Sequence, residues 1–217
     1  YFVASLIKTL SALYIYEKAL VDESILDKKL IYTENYLKHG APIMSEKNFG
    51  DQFTIRELVN YSISVSDNIA YKMLLEYIGF NNLKSYGHSI GNKHTLEGDD
   101  RINGNINLND AFNYMKRLYD YINNNGELGK ELREYFKNNH ALYFENNYNS
   151  ILHKSGDWKE AHHDTAIIED ENPYIIVILT NHGQEEKISI KDISSKIYSF
   201  HRLYTDNQKQ VCDVYKN

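Results

Sequence analysis

The sequence predicts an α+β fold in which helices pack against an antiparallel sheet. Two observations carry this prediction. Most segments with helical spacing of apolar residues lie before about residue 138, and three short β-prone runs then follow one another. A last helical segment follows the three runs. Because helices and strands do not alternate along the chain, a doubly wound parallel sheet is disfavoured.

The first predicted helix covers residues 4–20, where Leu6, Leu10 and Leu13 recur at helical spacing. Residues 21–52 are polar and mixed, so they predict irregular structure rather than a regular element.

Helix start and stop signals divide the next part of the chain. Thr54 and Glu57 have the spacing of a capping box and predict a helix to about Tyr61. A helix over residues 67–77 would stop at Gly79. Further predictions are a short helix at 80–89, a loop at 90–106, a helix that Asn107 caps, and a helix at 127–138.

The β-prone runs are SILHKSG (150–156), HHDTAIIED (162–170) and YIIVILTNH (174–182), separated by polar turns at 157–161 and 170–173. Runs of this length with such turns between them are typical of antiparallel strands. The helical pattern returns at 190–204.

Composition and charge exclude several classes of function. The chain has 217 residues and a formal net charge of −6, without a basic run, so we expect no nucleic-acid partner. No apolar run is long enough to span a membrane. The single cysteine, Cys212, excludes an internal disulfide.

One cluster, His162-His163-Asp164, raises the question of a metal site. Adjacent residues of a strand point to opposite faces, so this run cannot present its side chains to one ion. We therefore predict no metal and no other cofactor.

Three short motifs carry the functional prediction. They are Ser5-x-x-Lys8 in the first helix, Ser66-Asp67-Asn68 between two helices, and Lys154-Ser155-Gly156 on the first β-prone run. Each motif alone has an ordinary structural explanation: a helix with an exposed lysine, a helix N-cap, and a strand that meets a turn.

Chemistry links Ser5 to Lys8. A serine hydroxyl is a weak nucleophile unless a base lies beside it. Three positions apart on a helix, the two side chains share one face. Leucine and isoleucine neighbours would remove water from Lys8 and favour its neutral form, so Lys8 can take the Ser5 proton. Ser5 also lies near a helix N-terminus, and its backbone N–H can supply half of an oxyanion hole.

Together and in this order, the motifs resemble those of the penicillin-recognising serine hydrolases, and the chain is most similar to the class A β-lactamase-like branch from Phe2 to about Tyr204. The resemblance implies a single β-lactamase/transpeptidase-like domain, in which N- and C-terminal helices flank the sheet. A helical lobe would cover about 22–140, a sheet lobe 1–21 plus 141–204, and a tail 205–217. The active site would lie between the two lobes, with Trp158 beside its entrance.

The resemblance also implies residue roles. Ser66 would relay a proton between Lys8 and the leaving amine, and Asn68 would hold the amide carbonyl of the substrate. Lys154 and Ser155 would receive the substrate carboxylate, Gly156 would let the strand approach the substrate, and the N–H of Asp157 would complete the oxyanion hole.

Two departures from the family pattern stand out. Family members place two strands before the S-x-x-K helix, whereas four residues precede Ser5 here, so we expect the native chain to be longer. The E-x-x-L-N segment that supplies the deacylation base of class A β-lactamases is missing. Its nearest counterparts are Glu97 and Asp99.

Three functions fit these residues. The first is a serine hydrolase that β-lactams acylate through Ser5 and that hydrolyses the adduct slowly. The second is a D-Ala-D-Ala carboxypeptidase of peptidoglycan metabolism, and the third is a non-catalytic surface module. Family resemblance places all three outside the cytoplasm, and we expect a monomer.

Overall fold

The computed structural model describes residues 1–97, 102–139, 143–144, 148–182 and 189–214, with side chains described as far as residue 208. The helices are α1 (Ile7–Ala19), α2 (Ile55–Ser64), α3 (Asn68–Ile78), α4 (Phe80–Ser89), α5 (Leu108–Asn124), α6 (Gly126–Lys137) and α7 (Ile190–Val214). The strands are β1 (Lys29–Ile31), β2 (Gln52–Thr54), β3 (Ile151–Trp158), β4 (Ala161–Ile168) and β5 (Tyr174–Thr180). Short 3-10 helices cover Ala4–Leu6, Glu23–Asp27, Glu34–Tyr36 and Met44–Glu46.

The predicted α+β class is confirmed. Strands β3, β4 and β5 form an antiparallel sheet in chain order, and the register pairs Lys154 with Thr165 and Thr165 with Val177. Apolar residues cover both faces of β5. Ile175, Val177 and Leu179 pack on the main core, whereas the alternate residues face a second cluster that contains Phe144 and Ile190. The helices that form the main core therefore pack on one face of this sheet.

Local capping signals define the helix boundaries as predicted. Thr54 and Glu57 form the reciprocal capping box of α2. Asp67 caps α3 and Asn107 caps α5, each by accepting a hydrogen bond from backbone N–H groups of the first turn. Gly79, at φ 82°, ends α3. The side chains that start each helix satisfy donors that would otherwise be unpaired.

Helix α1 lies at the centre of the helices and not against the sheet. It contacts α2, α3, α4 and α5, while the 3-10 turn before it contacts β3. Helix α1 is buried on nearly every side, and such a helix must be surrounded by other elements. The assignment of residues 1–21 to a sheet lobe and of about 22–140 to a helical lobe stays a prediction.

Two further features differ from the sequence-based expectation. Strand β1 lies in the segment predicted as irregular and pairs with β2, which begins at the last residue of that segment, although each strand has only three residues. Helix α7 extends through most of the predicted tail, to Val214. Its apolar side chains Phe200, Leu203 and Tyr204 are exposed. Within the described ranges, no helix combines the length and apolar character that a membrane crossing requires.

Candidate active site

Ser5 lies in the 3-10 turn that leads into α1, and this turn packs directly on β3. The residue before it, Ala4, has a left-handed backbone with φ 49°. Gly156 of β3 faces the turn, where a Cβ atom would lie 3.2 Å from the carbonyl oxygen of Val3. Glycine at this position therefore allows the strand to approach the turn, and the left-handed Ala4 presents Ser5 at the edge of the strand.

The N-terminus of α3 supplies the second group of side chains. One carboxylate oxygen of Asp67 accepts from the backbone N–H groups of Ile69 and Ala70. The other accepts from Ile43 at 3.1 Å and Met44 at 2.9 Å. Asp67 is thus a structural residue that ties the 3-10 helix at Met44–Glu46 to α3. Four charge-assisted hydrogen bonds fix the positions of its two neighbours in the motif.

Lys8 reaches from α1 to this helix terminus. Its Nζ lies 2.6 Å from the carbonyl oxygen of Ser66, 3.1 Å from Ser66 Oγ and 2.6 Å from Asn68 Oδ1. Its side chain is fully buried. Burial lowers the pKa of Lys8 well below its ordinary value, and the charge of Lys154 lowers it further.

Lys154 approaches the same serine from the sheet. Its Nζ lies 3.0 Å from Ser66 Oγ and donates to the backbone oxygen of Ser155. Burial lowers the pKa of Lys154 to about 8, and the nearby Asp164 carboxylate offsets part of that effect. The Ser66 hydroxyl therefore lies between two amines that come from different elements.

The Ser66 hydroxyl can pass a proton because both amines contact it. A charged Lys154 can only donate to Ser66 Oγ, because an ammonium has no acceptor. Lys8 Nζ also donates to Ser66 Oγ, so a protonated Lys8 can give a proton to Ser66 while Ser66 releases its own proton to another acceptor. Within the described part of the chain, Ser5 Oγ makes no hydrogen bond. A continuous chain of contacts thus runs from Lys154 through Ser66 to Lys8, and it does not include the Ser5 hydroxyl.

These elements surround a cavity of about 220 Å³. The described residues that line it are Phe2, Ala4, Ser5, Lys38, His39, Asn68, Tyr71, Asn103, Asp157 and Trp158. Ser5, Asn68 and Asp157 were expected there from the motifs, and Trp158 from its place just after the K-S-G motif. Lys38, His39, Tyr71 and Asn103 were not predicted.

Tyr71 had a detectable signal in the sequence. It follows Asn68 by three positions on α3, so both side chains lie on the same face of that helix. Its hydroxyl donates to the carbonyl oxygen of Ile102 at 2.6 Å, and its ring centre lies 5.9 Å from Lys8 Nζ. Tyr71 therefore fixes the segment that carries Asn103 and shields Lys8 from water.

Three other residues predicted for the site, Ser155, Glu97 and Asp99, are not among the described residues that line the cavity. Ser155 is buried in β3, and the described residues that line the cavity do not include it. Glu97 is exposed and does not line the cavity. Asp99 lies outside the described residues.

The two adjacent histidines are separated as the strand geometry requires. His163 is buried, its Nδ1 accepts from the N–H of Thr180, and its Nε2 donates to the carbonyl oxygen of Phe2. Burial also lowers its pKa, which agrees with this neutral tautomer. His162 packs on the ring of Tyr143 on the other face. Both histidines therefore have structural contacts.

Gly40 provides a test of how the Asn68 side chain is held. Asn68 Nδ2 donates to the carbonyl oxygen of His39, and a Cβ on Gly40, which has φ +72°, would lie 2.6 Å from that nitrogen. The family resemblance assigns Asn68 to substrate binding. On that assignment, Gly40→Ala should displace Asn68 and slow acylation by benzylpenicillin about tenfold or more, because small displacements in an active site have large effects on rate. Mass spectrometry of the adduct over time measures this rate.

Two glycines serve as controls for backbone strain alone. Gly50 (φ +96°) and Gly126 (φ +51°) have left-handed backbones, but a Cβ at either position would meet no atom within 4 Å. Alanine at either position should lower thermal stability without changing the acylation rate. An equal loss of rate in all three variants would show that the Gly40 effect does not come from Asn68.

A sequence model described as the beta-lactamase enzyme family matches residues 1–201. The chain belongs to this family. It therefore belongs to a family of hydrolases, and the arrangement around Ser5 fits a serine-based member. A search among curated proteins finds no match.

Solved structures agree with the fold of the family. A mutant of PBP-A, solved as an acyl-enzyme complex with penicillin G, has a TM-score of 0.83 at 16% identity over 93% of this chain and 82% of that one. The class A beta-lactamase from Mycobacterium abscessus has a TM-score of 0.74 at 19% identity over 93% and 85% of the two chains. The beta-lactamase from Francisella tularensis has a TM-score of 0.74 at 21% identity over 92% and 87%.

Proposed function

We propose that this protein is a serine hydrolase that β-lactams acylate at Ser5 and that hydrolyses the resulting ester slowly. Lys8 is the base that activates Ser5, and Ser66 carries the proton to the leaving amine. Asn68 and the pair Lys154 and Ser155 bind the substrate. A peptide that ends in D-Ala-D-Ala is the alternative substrate, because it would use the same acylation residues. The place of action is outside the cytoplasm.

One observation supports acylation above all others. Lys8 and Lys154, from a helix and a strand far apart in sequence, both lie within 3.1 Å of one hydroxyl, Ser66 Oγ. Burying two lysines beside each other destabilises the fold, because both amines lose hydration and their charges repel each other. A neutral Lys8 can accept a proton from Ser5. A charged Lys154 beside it can attract a substrate carboxylate.

Slow hydrolysis follows from the deacylation step. An acyl-enzyme needs a water and a base within hydrogen-bond reach to activate it. Glu97 is exposed and away from the cavity. Asp99 is one methylene shorter than the family glutamate, and a displacement on the order of 1 Å can cost about 10²-fold in rate. The acylation residues are therefore all present, whereas the one candidate base within the described residues, Glu97, does not line the cavity.

Benzylpenicillin gives the direct test, since a structural neighbour forms an acyl-enzyme complex with it. Mixed with excess antibiotic, the protein should gain one antibiotic mass quickly and lose it over a much longer time after the free drug is removed. Intact-mass spectrometry follows both phases. Rapid steady-state hydrolysis without an accumulated adduct would contradict the proposal.

Two variants locate any deacylation base. Glu97→Gln and Asp99→Asn should leave the already low deacylation rate unchanged. If either substitution stabilises an adduct that the wild-type protein hydrolyses quickly, the loop supplies a working base and the proposed slow turnover is wrong.

The two lysines predict the pH dependence of acylation. Lys8 must be neutral to accept a proton, so the rate should rise with pH as Lys8 deprotonates, starting below the pH at which an ordinary lysine does so. Lys154 must be charged to bind a carboxylate, so the rate should fall above its pKa of about 8. A plot of acylation rate against pH should therefore be bell-shaped, with its alkaline limb near pH 8.

Lys154→Arg identifies the alkaline limb. Arginine stays charged throughout the range, so this variant should lose the fall in rate near pH 8 even if its maximal rate is lower. Thermal unfolding checks that the larger side chain is accommodated. An unchanged alkaline limb in a folded variant would assign that limb to a different group.

A further inference from the structure

The residues that line the cavity beside Ser5 include side chains of both charge types, from different segments of the chain. Lys38 and His39 line it from the segment before the 3-10 helix at Met44–Glu46, and Asp157 lines it from β3. Lys38 is half-buried, and its charge is close enough to Lys8 to lower the pKa of that amine. The lining of the cavity is therefore electrostatically polarised.

Asn68 connects the cationic wall to the substrate site. Its Nδ2 lies 2.7 Å from the carbonyl oxygen of His39, and its backbone N–H donates to the carbonyl oxygen of Gly40 at 3.0 Å. A substrate whose amide contacts Asn68 thus places the rest of its acyl side chain next to the segment that carries Lys38. This placement rests on the proposed function, which gives Asn68 that role.

We propose that Lys38 is a specificity residue that favours β-lactam or peptide substrates whose acyl portion carries a carboxylate. The two lysines that contact Ser66 have different tasks in the proposed function: Lys154 binds the carboxylate on the leaving side, and Lys8 transfers protons. The Asp157 carboxylate, which accepts from the Tyr143 hydroxyl at 3.4 Å, repels an anion from the strand side. An acyl-side anion is therefore directed towards Lys38.

Two penicillins that differ by one carboxylate test this inference. Benzylpenicillin has an uncharged benzyl side chain, and its α-carboxy analogue carries a carboxylate on the benzylic carbon. The second-order acylation rate of each is measured by intact-mass spectrometry, and their ratio is compared between variants. In Lys38→Met the ratio of the α-carboxy to the benzyl compound should fall by about fivefold, the largest effect expected of one partly exposed ion pair.

Two controls isolate the position and the charge. Lys47→Met removes the same charge from an exposed lysine of the same segment outside the cavity and should leave the ratio unchanged. Lys38→Arg keeps the charge and should keep the ratio. High salt should reduce the ratio of the wild-type protein towards that of Lys38→Met.

The outcomes separate this inference from the proposed function. If neither penicillin acylates the wild-type protein, the proposed function is wrong and the inference fails with it. If both acylate it and Lys38→Met changes the two rates equally or not at all, the proposed function stands and the inference is overturned. Thermal unfolding of Lys38→Met and Lys38→Arg shows whether either variant is misfolded.

Discussion

Ser5→Ala should abolish covalent labelling by benzylpenicillin. The substitution removes the only atom that we propose to attack the lactam carbonyl, and loss of a serine nucleophile typically costs on the order of 10⁶-fold in rate. The fold should remain intact, because Ser5 Oγ makes no hydrogen bond within the described residues and backbone hydrogen bonds of Val3 to Gly104 and of Leu6 to Val3 hold the turn. Intact-mass spectrometry of the incubated protein measures the adduct directly.

A second serine on the same helix provides the matched control. Ser11 lies one turn beyond Lys8, and its buried hydroxyl donates to a helix carbonyl oxygen at 2.8 Å, away from the cavity. Ser11→Ala should therefore still be labelled. Peptide mapping of the labelled wild-type protein should place the adduct on Ser5. An adduct that persists in Ser5→Ala and maps to Ser66 would reverse the roles that we give these two serines.

Local signals in the sequence predicted most of the regular elements. Thr54 with Glu57, Asp67 and Asn107 each start a helix through contacts within one turn, so a short window of sequence contains the whole interaction. The apolar run of β5 is equally local. By contrast, β1 and β2 are three residues long and pair across a long intervening segment, so neither has a periodic signal of its own.

The candidate site was predictable only where a motif contains it. The three motifs identified Ser5, Lys8 and Asn68 as candidate site residues. No sequence feature near Lys38 or His39 indicates that these two residues line the cavity beside Ser5. Their position depends on the contact of their segment with the N-terminus of α3, which tertiary packing creates. The left-handed backbone of Ala4 and Ser66, with φ of 49° and 56°, likewise has no sequence signature, because neither residue is a glycine.

Lys8→Ala should slow acylation by about 10²–10⁴-fold, the range that loss of a general base typically produces. The substitution also removes the three hydrogen bonds that Lys8 makes to Ser66 and Asn68, so two explanations of a slower rate must be distinguished. If Lys8 acts as the base, the rising acid limb of the pH profile should disappear together with the rate. If Lys8 only positions Asn68, the rate should fall while the acid limb keeps its shape.

Chemical rescue makes this distinction without reference to the pH profile. Lys8→Ala leaves a buried space beside Ser66 and Asn68, into which a small primary amine such as ethylamine can enter. An added amine can take the Ser5 proton but cannot restore the geometry of a side chain attached to α1. We therefore expect ethylamine to restore part of the acylation rate in Lys8→Ala, increasing with amine concentration and with the neutral fraction of the amine, and to leave the wild-type rate unchanged. The contrary result is a Lys8→Ala variant that unfolds at the wild-type temperature, keeps the acid limb and is not rescued by ethylamine. That result would show that Lys8 is a positioning residue and not the base.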